Sequence, residues 1–214
     1  MNAYRLYYSP GACSLAVHIA LEETGVPFDT ECVSVAQQDT TSERYLAINP
    51  KARVPALAIP GEPRVLTEMP AILTLLARRH PHACLLPVDD PLREARCHEW
   101  LAWLVGWVHG VGYGALWRPG RFAADVASHG AVAAHGRDVI DAANRTIDAA
   151  LSDGREWAEP GGYSIVDPFL FVLYRWGTAI GLDMPRHTAW SAHTARVAKR
   201  PAVLRALARE AADA

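Results

Sequence analysis

The sequence predicts a mixed α/β domain over residues 1–80, a short linker over 81–91 and an all-helical domain over 92–214. Three observations lead there. Up to about Arg79, short apolar runs alternate with runs of helical spacing. His80 to Pro91 then holds three prolines and the adjacent pair Asp89-Asp90, a composition that breaks regular structure. From Leu92 onward the apolar residues recur at helical spacing and no convincing strand remains.

Taken in order, Leu6-Tyr7-Tyr8 is a short β run stopped by Ser9-Pro10-Gly11. Ser14 to Thr24 carries Leu15 and Ile19, with Leu21 on the flank, at helical spacing, and Gly25 is its stop. Phe28 to Val35 alternates and is rich in β formers. Ser42 to Ile48 reads as a short helix ended by Asn49-Pro50, and Ala56 to Ile59 as a buried strand. Pro60-Gly61-Glu62-Pro63 is a turn that returns Arg64 to Leu66 as a hairpin partner. Glu68 to Arg79 is a helix, with Ile72, Leu73, Leu75 and Leu76 apolar and Arg78-Arg79 suited to its negative end. Strand, helix, strand, helix, strand, strand, helix is the thioredoxin-type order, a small mixed sheet with helices on both faces.

In the second part, Leu92 to Trp117 is predicted as one long helix, apolar around much of its circumference and therefore central. Further helical regions are expected over Phe122–Leu151, Ser164–Ile180, Thr188–Lys199 and Ala202–Ala212, with Pro201 at a first-turn position. Ser164-Ile165-Val166-Asp167 has the spacing of a capping box. Ser164 is expected to accept from the Asp167 N–H, the Asp167 side chain to reach back, and Tyr163 to pack onto the next turn.

Bulk properties narrow the function. The 21 Lys and Arg against 23 Asp and Glu leave a net charge of -2 with no basic run, which argues against nucleic acid. The N-terminus does not read as a secretory signal. The richest apolar run, Trp100 to Val111, is too short for a membrane span. The four cysteines (Cys13, Cys32, Cys84, Cys97) form neither a C-x-x-C pair nor a zinc-like spacing. The expectation is a cytoplasmic protein with free thiols, no metal and no membrane partner.

Cys13 is the leading candidate for chemistry. It follows a strand-to-helix turn, where the helix dipole and unpaired N–H groups favour thiolate. The bland alternative is a small buried hydrophobe, the commoner fate of a free cysteine and the one expected for the other three. Val54-Pro55 precedes a strand. A cis bond there would turn the Val54 backbone toward Cys13, able to pair with an extended peptide-like ligand. Thr67-Glu68 opens a helix, either as a cap and acidic first turn or with Glu68 receiving a ligand ammonium. His109, in an apolar Trp-rich helix, reads first as a core histidine and second as a group facing Cys13.

These segments resemble one family. Leu6-Tyr7-Tyr8-Ser9-Pro10-Gly11-Ala12-Cys13-Ser14-Leu15 is similar to the N-terminus of bacterial beta-class glutathione transferases. So are Leu46-Ala47-Ile48-Asn49-Pro50-Lys51, Val54-Pro55-Ala56-Leu57, Leu66-Thr67-Glu68, Glu99-Trp100-Leu101, Val108-His109 and Ser164-Ile165-Val166-Asp167, in the right order over nearly the whole chain. The resemblance implies a thioredoxin-like domain joined to a helical transferase domain, a homodimer, and glutathione as co-substrate in the cleft. It implies Cys13 at the glutathione sulfur, with His109 facing it from the second domain. Val54 would pair with the cysteinyl backbone, Glu68 and Met69 hold the γ-glutamyl end, and Tyr8, Gln38, Arg53 and Pro55 complete the binding set. Trp107, Tyr113 and Trp117, from an aromatic stripe that also holds Trp100 and Trp103, would line the acceptor pocket. By its spacing alone that stripe reads as core.

The departures from the family pattern are specific. Met69 and Pro70 follow Glu68 where Ser or Gly is usual, Gln37 or Gln38 replaces a lysine for the glycyl carboxylate, and Ala102 and Gly110 replace an Asn and a Lys. Each lost charge-assisted contact removes ~1.5–3 kcal/mol. Two function readings follow: an enzyme conjugating glutathione to electrophiles or exchanging thiols with mixed disulfides, and a ligand-binding protein of the same fold with weakened glutathione binding. A chaperone-like interaction role is a third, singled out by no residue.

Overall fold

The computed structural model describes residues 3–212. Four strands, β1 (Tyr4–Tyr8), β2 (Phe28–Cys32), β3 (Ala56–Ala58) and β4 (Leu66–Thr67), form a sheet of order β2-β1-β3-β4. β1 pairs parallel with β2 and antiparallel with β3, and β4 runs antiparallel to β3. Between them lie α1 (Ser14–Thr24) and α2 (Glu43–Ile48), and α3 (Met69–Arg79) follows. The predicted strand, helix, strand, helix, strand, strand, helix order is thus observed. The return strand begins two residues later than expected. Pro60 and Pro63 have no N–H, Glu62 N–H is used in the turn by Ile59 O (3.0 Å), and the ladder resumes at Leu66 opposite Leu57.

Helix α1 departs from the one-faced reading. Nearly every residue is buried, including Ala16, Val17 and Ala20 opposite the Leu15–Ile19 face. The sheet-side core is on one flank and the helical part on the other, so the helix needs apolar residues all round.

Helix α4 (Pro91–Trp103) starts the helical part. Asp90, placed in the linker by composition, caps it by accepting from the N–H groups of Leu92 (3.0 Å) and Arg93 (3.1 Å). The expected single helix through Trp117 is continuous but not uniform. Leu104–Tyr113 is wound as a π-helix, and α5 (Gly114–Trp117) closes it. The Gly114 N–H reaches back to His109 O, five residues away. Gly110 permits this wider turn, because a Cβ there would stand 3.0 Å from Val105 O. Two short 3-10 turns, Pro119–Arg121 and Val126–Ser128, precede α6 (His129–Leu151), so the second region is helical only in its latter part. α7 (Asp167–Ala179), α8 (Thr188–Ala198) and α9 (Pro201–Ala212) follow. Among the described residues, no helix is long and apolar enough to cross a membrane.

The Ser164–Asp167 box forms by a different wiring from the one expected. Asp167 Oδ2 accepts from the Ser164 N–H (2.7 Å) and hydroxyl (3.1 Å), as foreseen for the reach-back. The Asp167 N–H goes to the Ser164 carbonyl, and the Ser164 hydroxyl accepts from Val166 instead. Asp167 Oδ1 also takes the Ala158 N–H (2.8 Å) and His193 Nε2 (2.7 Å), with both side chains fully buried. Tyr163 packs against the core cluster that includes Phe169 and Leu170. It stacks edge-on to Trp157 and lies under the Arg200 guanidinium.

Candidate functional site

One cleft collects most of the predicted residues: Cys13, Arg53, Val54, Pro55, Glu68 and Met69 from the first part, His109, Tyr113 and Trp117 from the second. Each is placed by local structure. Cys13 ends a loop fastened at several points. Ser9 and Ser14 exchange hydrogen bonds of 3.2 Å, and Ser9 Oγ accepts from Val35. Gly11 donates its N–H to Glu210 (2.9 Å) on α9, and its carbonyl accepts from Trp176 Nε1 (2.8 Å) on α7.

The loop before β3 is organised by Asn49, which is buried. Its amide donates to Arg53 O (2.7 Å), and its Oδ1 accepts the Lys51 N–H (3.1 Å). Tyr45 donates its hydroxyl to the same Arg53 carbonyl (2.7 Å). The Val54–Pro55 peptide is cis. The Cys13 thiol donates to Val54 O at 3.5 Å.

Two opposing influences meet at the Cys13 sulfur. Cys13 sits at the N-terminus of α1 with its own N–H and that of Ser14 aimed at the sulfur, and Arg118 and Arg53 add positive potential. Burial outweighs them all and pushes the thiol up to about 12. In the ligand-free protein at neutral pH the sulfur is a protonated donor.

His109 faces the cleft, with its ring against Trp176 (5.0 Å between centroids) and Phe169 (6.1 Å). Burial, then the positive charges of Arg118, Arg53 and Arg121, push its pKa down to about 4. It is a neutral imidazole at pH 7.

Glu68 does not cap α3. Its backbone stands at φ 69°, a region rarely adopted by residues with a side chain, and its carboxylate is exposed. Lys51 Nζ lies 2.8 Å from it and 2.9 Å from Thr67 Oγ1. A primary ammonium therefore already occupies the place foreseen for a ligand ammonium. An exposed pair of this kind contributes only ~0.2–1 kcal/mol, so an incoming amine can share or replace it.

Three predicted residues lie outside the cleft lining. Tyr8 is fully buried, its ring 5.4 Å from that of His18. Gln38 is exposed at the start of the 3-10 turn Asp39–Thr41. Trp107 projects outward, 48% exposed. Sequence reasoning in turn missed Arg118 and Arg121, which line the cleft from the turn after α5. Their signal was Arg118-Pro119-Gly120-Arg121, two cations flanking a helix break directly after the aromatic stripe.

Comparisons with known proteins give the family. Residues 11–79 match the family model described as glutathione S-transferase, N-terminal domain. The chain is 32% identical over 207 residues to glutathione S-transferase GstA of Escherichia coli O157:H7, covering 96% of this chain and 98% of that one. A solved glutathione transferase homologue from Sulfitobacter with bound glutathione superposes with a TM-score of 0.91 at 30% identity, covering 98% of this chain and 99% of that one. The bacterial beta class enzyme of Sphingomonas chungbukensis superposes at 0.83 with 35% identity, over 96% and 98%. The same fold, a sheet domain and a helical domain meeting at a cysteine-bearing cleft, carries a whole-length sequence match, and the chain belongs to the glutathione S-transferase family.

Proposed function

We propose that the chain conjugates glutathione to small electrophiles in the cleft around Cys13. The observation that carries this reading is the convergence of four groups on one cleft: the Cys13 thiol, the Val54 backbone, the Glu68 carboxylate and the His109 ring. Val54 would pair with the cysteinyl backbone of the tripeptide, and Glu68 would receive its ammonium. Cys13, held as a thiol, would donate its S–H to the glutathione sulfur, which favours the thiolate form of that sulfur. His109, neutral, offers a second hydrogen-bonding group beside it. The glutathione thiol releases its proton to solvent and the sulfur, as thiolate, attacks the electrophilic carbon; a C–S bond forms and the leaving group departs with its electron pair.

The raised Cys13 pKa favours conjugation over exchange with mixed disulfides, because exchange needs Cys13 itself as thiolate. The second reading, a binding protein without turnover, is motivated by Met69, Pro70, Ala102 and Gly110. Against it stand Arg53, Arg118 and Arg121, which return positive charge to a cleft that lost two lysines. Membership of the family supports a homodimer, and four free cysteines, one of them exposed, support a reducing cytoplasm.

The test is calorimetric titration with glutathione, repeated on Cys13→Ser, alongside turnover of 1-chloro-2,4-dinitrobenzene. Binding in the micromolar to millimolar range with measurable turnover is expected. No heat at millimolar glutathione and no turnover would remove the enzyme reading. Binding without turnover would leave the binding protein.

A further inference from the structure

The cleft holds more positive charge than glutathione needs. Lys51, Arg53, Arg118 and Arg121 line it, and Glu68 is the carboxylate opposing them. His109 is neutral there. The fixed surplus is therefore three positive charges. Glutathione with its sulfur ionised brings two carboxylates, one ammonium and one thiolate, about two net negative charges. One positive charge remains for the second substrate.

The arrangement of these cations says where that charge lies. Lys51 is paired with Glu68. Arg53 is adjacent to Val54, on the side where the tripeptide backbone is proposed to pair. Arg118 and Arg121 are on the other wall, in the turn that follows Trp117, beside the exposed Trp117 ring, which rests on the fully buried ring of Tyr113 (4.8 Å between centroids). Among the described residues, neither Arg53, Arg118 nor Arg121 makes an ion pair or a side-chain hydrogen bond. The other arginines close to a carboxylate, such as Arg93 with Glu159 and Arg200 with Glu23, are engaged. The cations also act on one another. Burial and then the charges of Arg118 and Arg53 hold the Arg121 guanidinium below its usual pKa. Like charges gathered unpaired around a cleft are mutually unfavourable, and an anion between them removes the repulsion.

We infer that Arg118 and Arg121 form an anion subsite for the electrophile, which makes the preferred acceptor a flat or unsaturated molecule bearing a carboxylate. The exposed ring of Trp117 takes its apolar body, backed by the buried Tyr113 ring, and the two guanidiniums take its carboxylate. This inference rests on the transferase reading, and assigns that reading its substrate class.

The test compares 4-chloro-3,5-dinitrobenzoate with its methyl ester as acceptors of glutathione, each kcat/KM divided by the uncatalysed rate constant. In both, sulfur replaces chloride at the ring carbon, so C–S forms, C–Cl breaks and chloride leaves. Two exposed charge-assisted contacts predict an acid-to-ester preference of about tenfold, equivalent to about 1.4 kcal/mol. The preference should shrink toward unity in Arg118→Gln/Arg121→Gln and fall with added salt. A native protein that treats acid and ester alike, or a double variant that keeps the full preference, would overturn the subsite.

If neither compound is turned over, the transferase reading is decided separately by the glutathione titration and the turnover of 1-chloro-2,4-dinitrobenzene. The subsite is then judged by titrating unreactive 3,5-dinitrobenzoate into the protein with glutathione present. Binding that Arg118→Gln/Arg121→Gln weakens about tenfold sustains it, and no binding, or binding indifferent to the variant, ends it.

Discussion

His109 makes the stability of this protein depend on acid. Its ring is set among Trp176, Phe169 and the cleft wall, and burial, then Arg118, Arg53 and Arg121, hold its pKa at about 4 instead of the ordinary 6.5. The folded-state value is depressed, so the unfolded chain takes up the proton first as pH falls. Between about 6.5 and 4 the unfolded state binds more protons at this residue, and stability must decline with falling pH across that window. The contribution is negligible at pH 7, about 2 kcal/mol at pH 5 and about 3 kcal/mol at pH 4. His109→Gln keeps a polar side chain of similar reach and abolishes the titration. Urea unfolding of both proteins at pH 7 and pH 5 isolates the effect, because carboxylates titrating in the same range contribute equally to each. The native protein should lose about 2 kcal/mol more than the variant. Equal losses, within about 0.5 kcal/mol, would refute the reasoning, as would a His109 NMR titration midpoint near 6.5.

Three further outcomes are expected. Alkylation of Cys13 by iodoacetamide, followed by peptide mass spectrometry, should be far slower at pH 7.5 than for the exposed Cys84, and should accelerate only as pH rises above 10; rapid labelling of Cys13 would show that burial does not dominate its pKa. Asp167→Ala removes a fully buried carboxylate that accepts from Ala158, Ser164 and His193, and should destabilise the fold by about 3–5 kcal/mol in urea unfolding. Gly136→Ala should cost about 1–3 kcal/mol, because its Cβ would lie 2.6 Å from Gly112 O and 2.8 Å from Leu116 N, both backbone atoms with little freedom to retreat.

What could be read from the residues, and what could not, divides by the range of the interactions. Strands and helices with clear periodicity and a chemical stop, such as α1 before Gly25 and α3 after the Pro60–Pro63 turn, stand where expected, because local propensity and the core agree there. The π-wound stretch at Leu104–Tyr113 was not legible. An apolar, glycine-rich run has the same hydrophobic residues whether its bonds span four or five positions, and the choice is made by packing. The position of Cys13 followed from its motif, but its protonation did not. The helix N-terminus is a local signal favouring thiolate, whereas the desolvation that defeats it comes from the surrounding fold. Tyr8 shows the same limit. Strand alternation identifies it as one-sided without saying which side faces a ligand, and the structure turns it into the core against His18. Arg118 and Arg121 enter the cleft only because the chain breaks at Pro119-Gly120 and folds beside it.

The fastening of the Ser9–Ser14 loop has a consequence for how the molecule comes into being. Gly11 is gripped by Trp176 and Glu210, and Glu210 is also held by His18 at 3.2 Å, so the turn that presents the thiol depends on residues 165 and 199 positions downstream. During synthesis the first eighty residues emerge with their sheet sequence complete but with this turn lacking its clamps, and α9 is still inside the ribosome when they do. In a nascent chain the thiol loop therefore lacks these clamps until α7 and α9 dock, and a stop codon before Glu210 would yield a protein whose sheet sequence is intact and whose thiol loop has lost the Glu210 clamp.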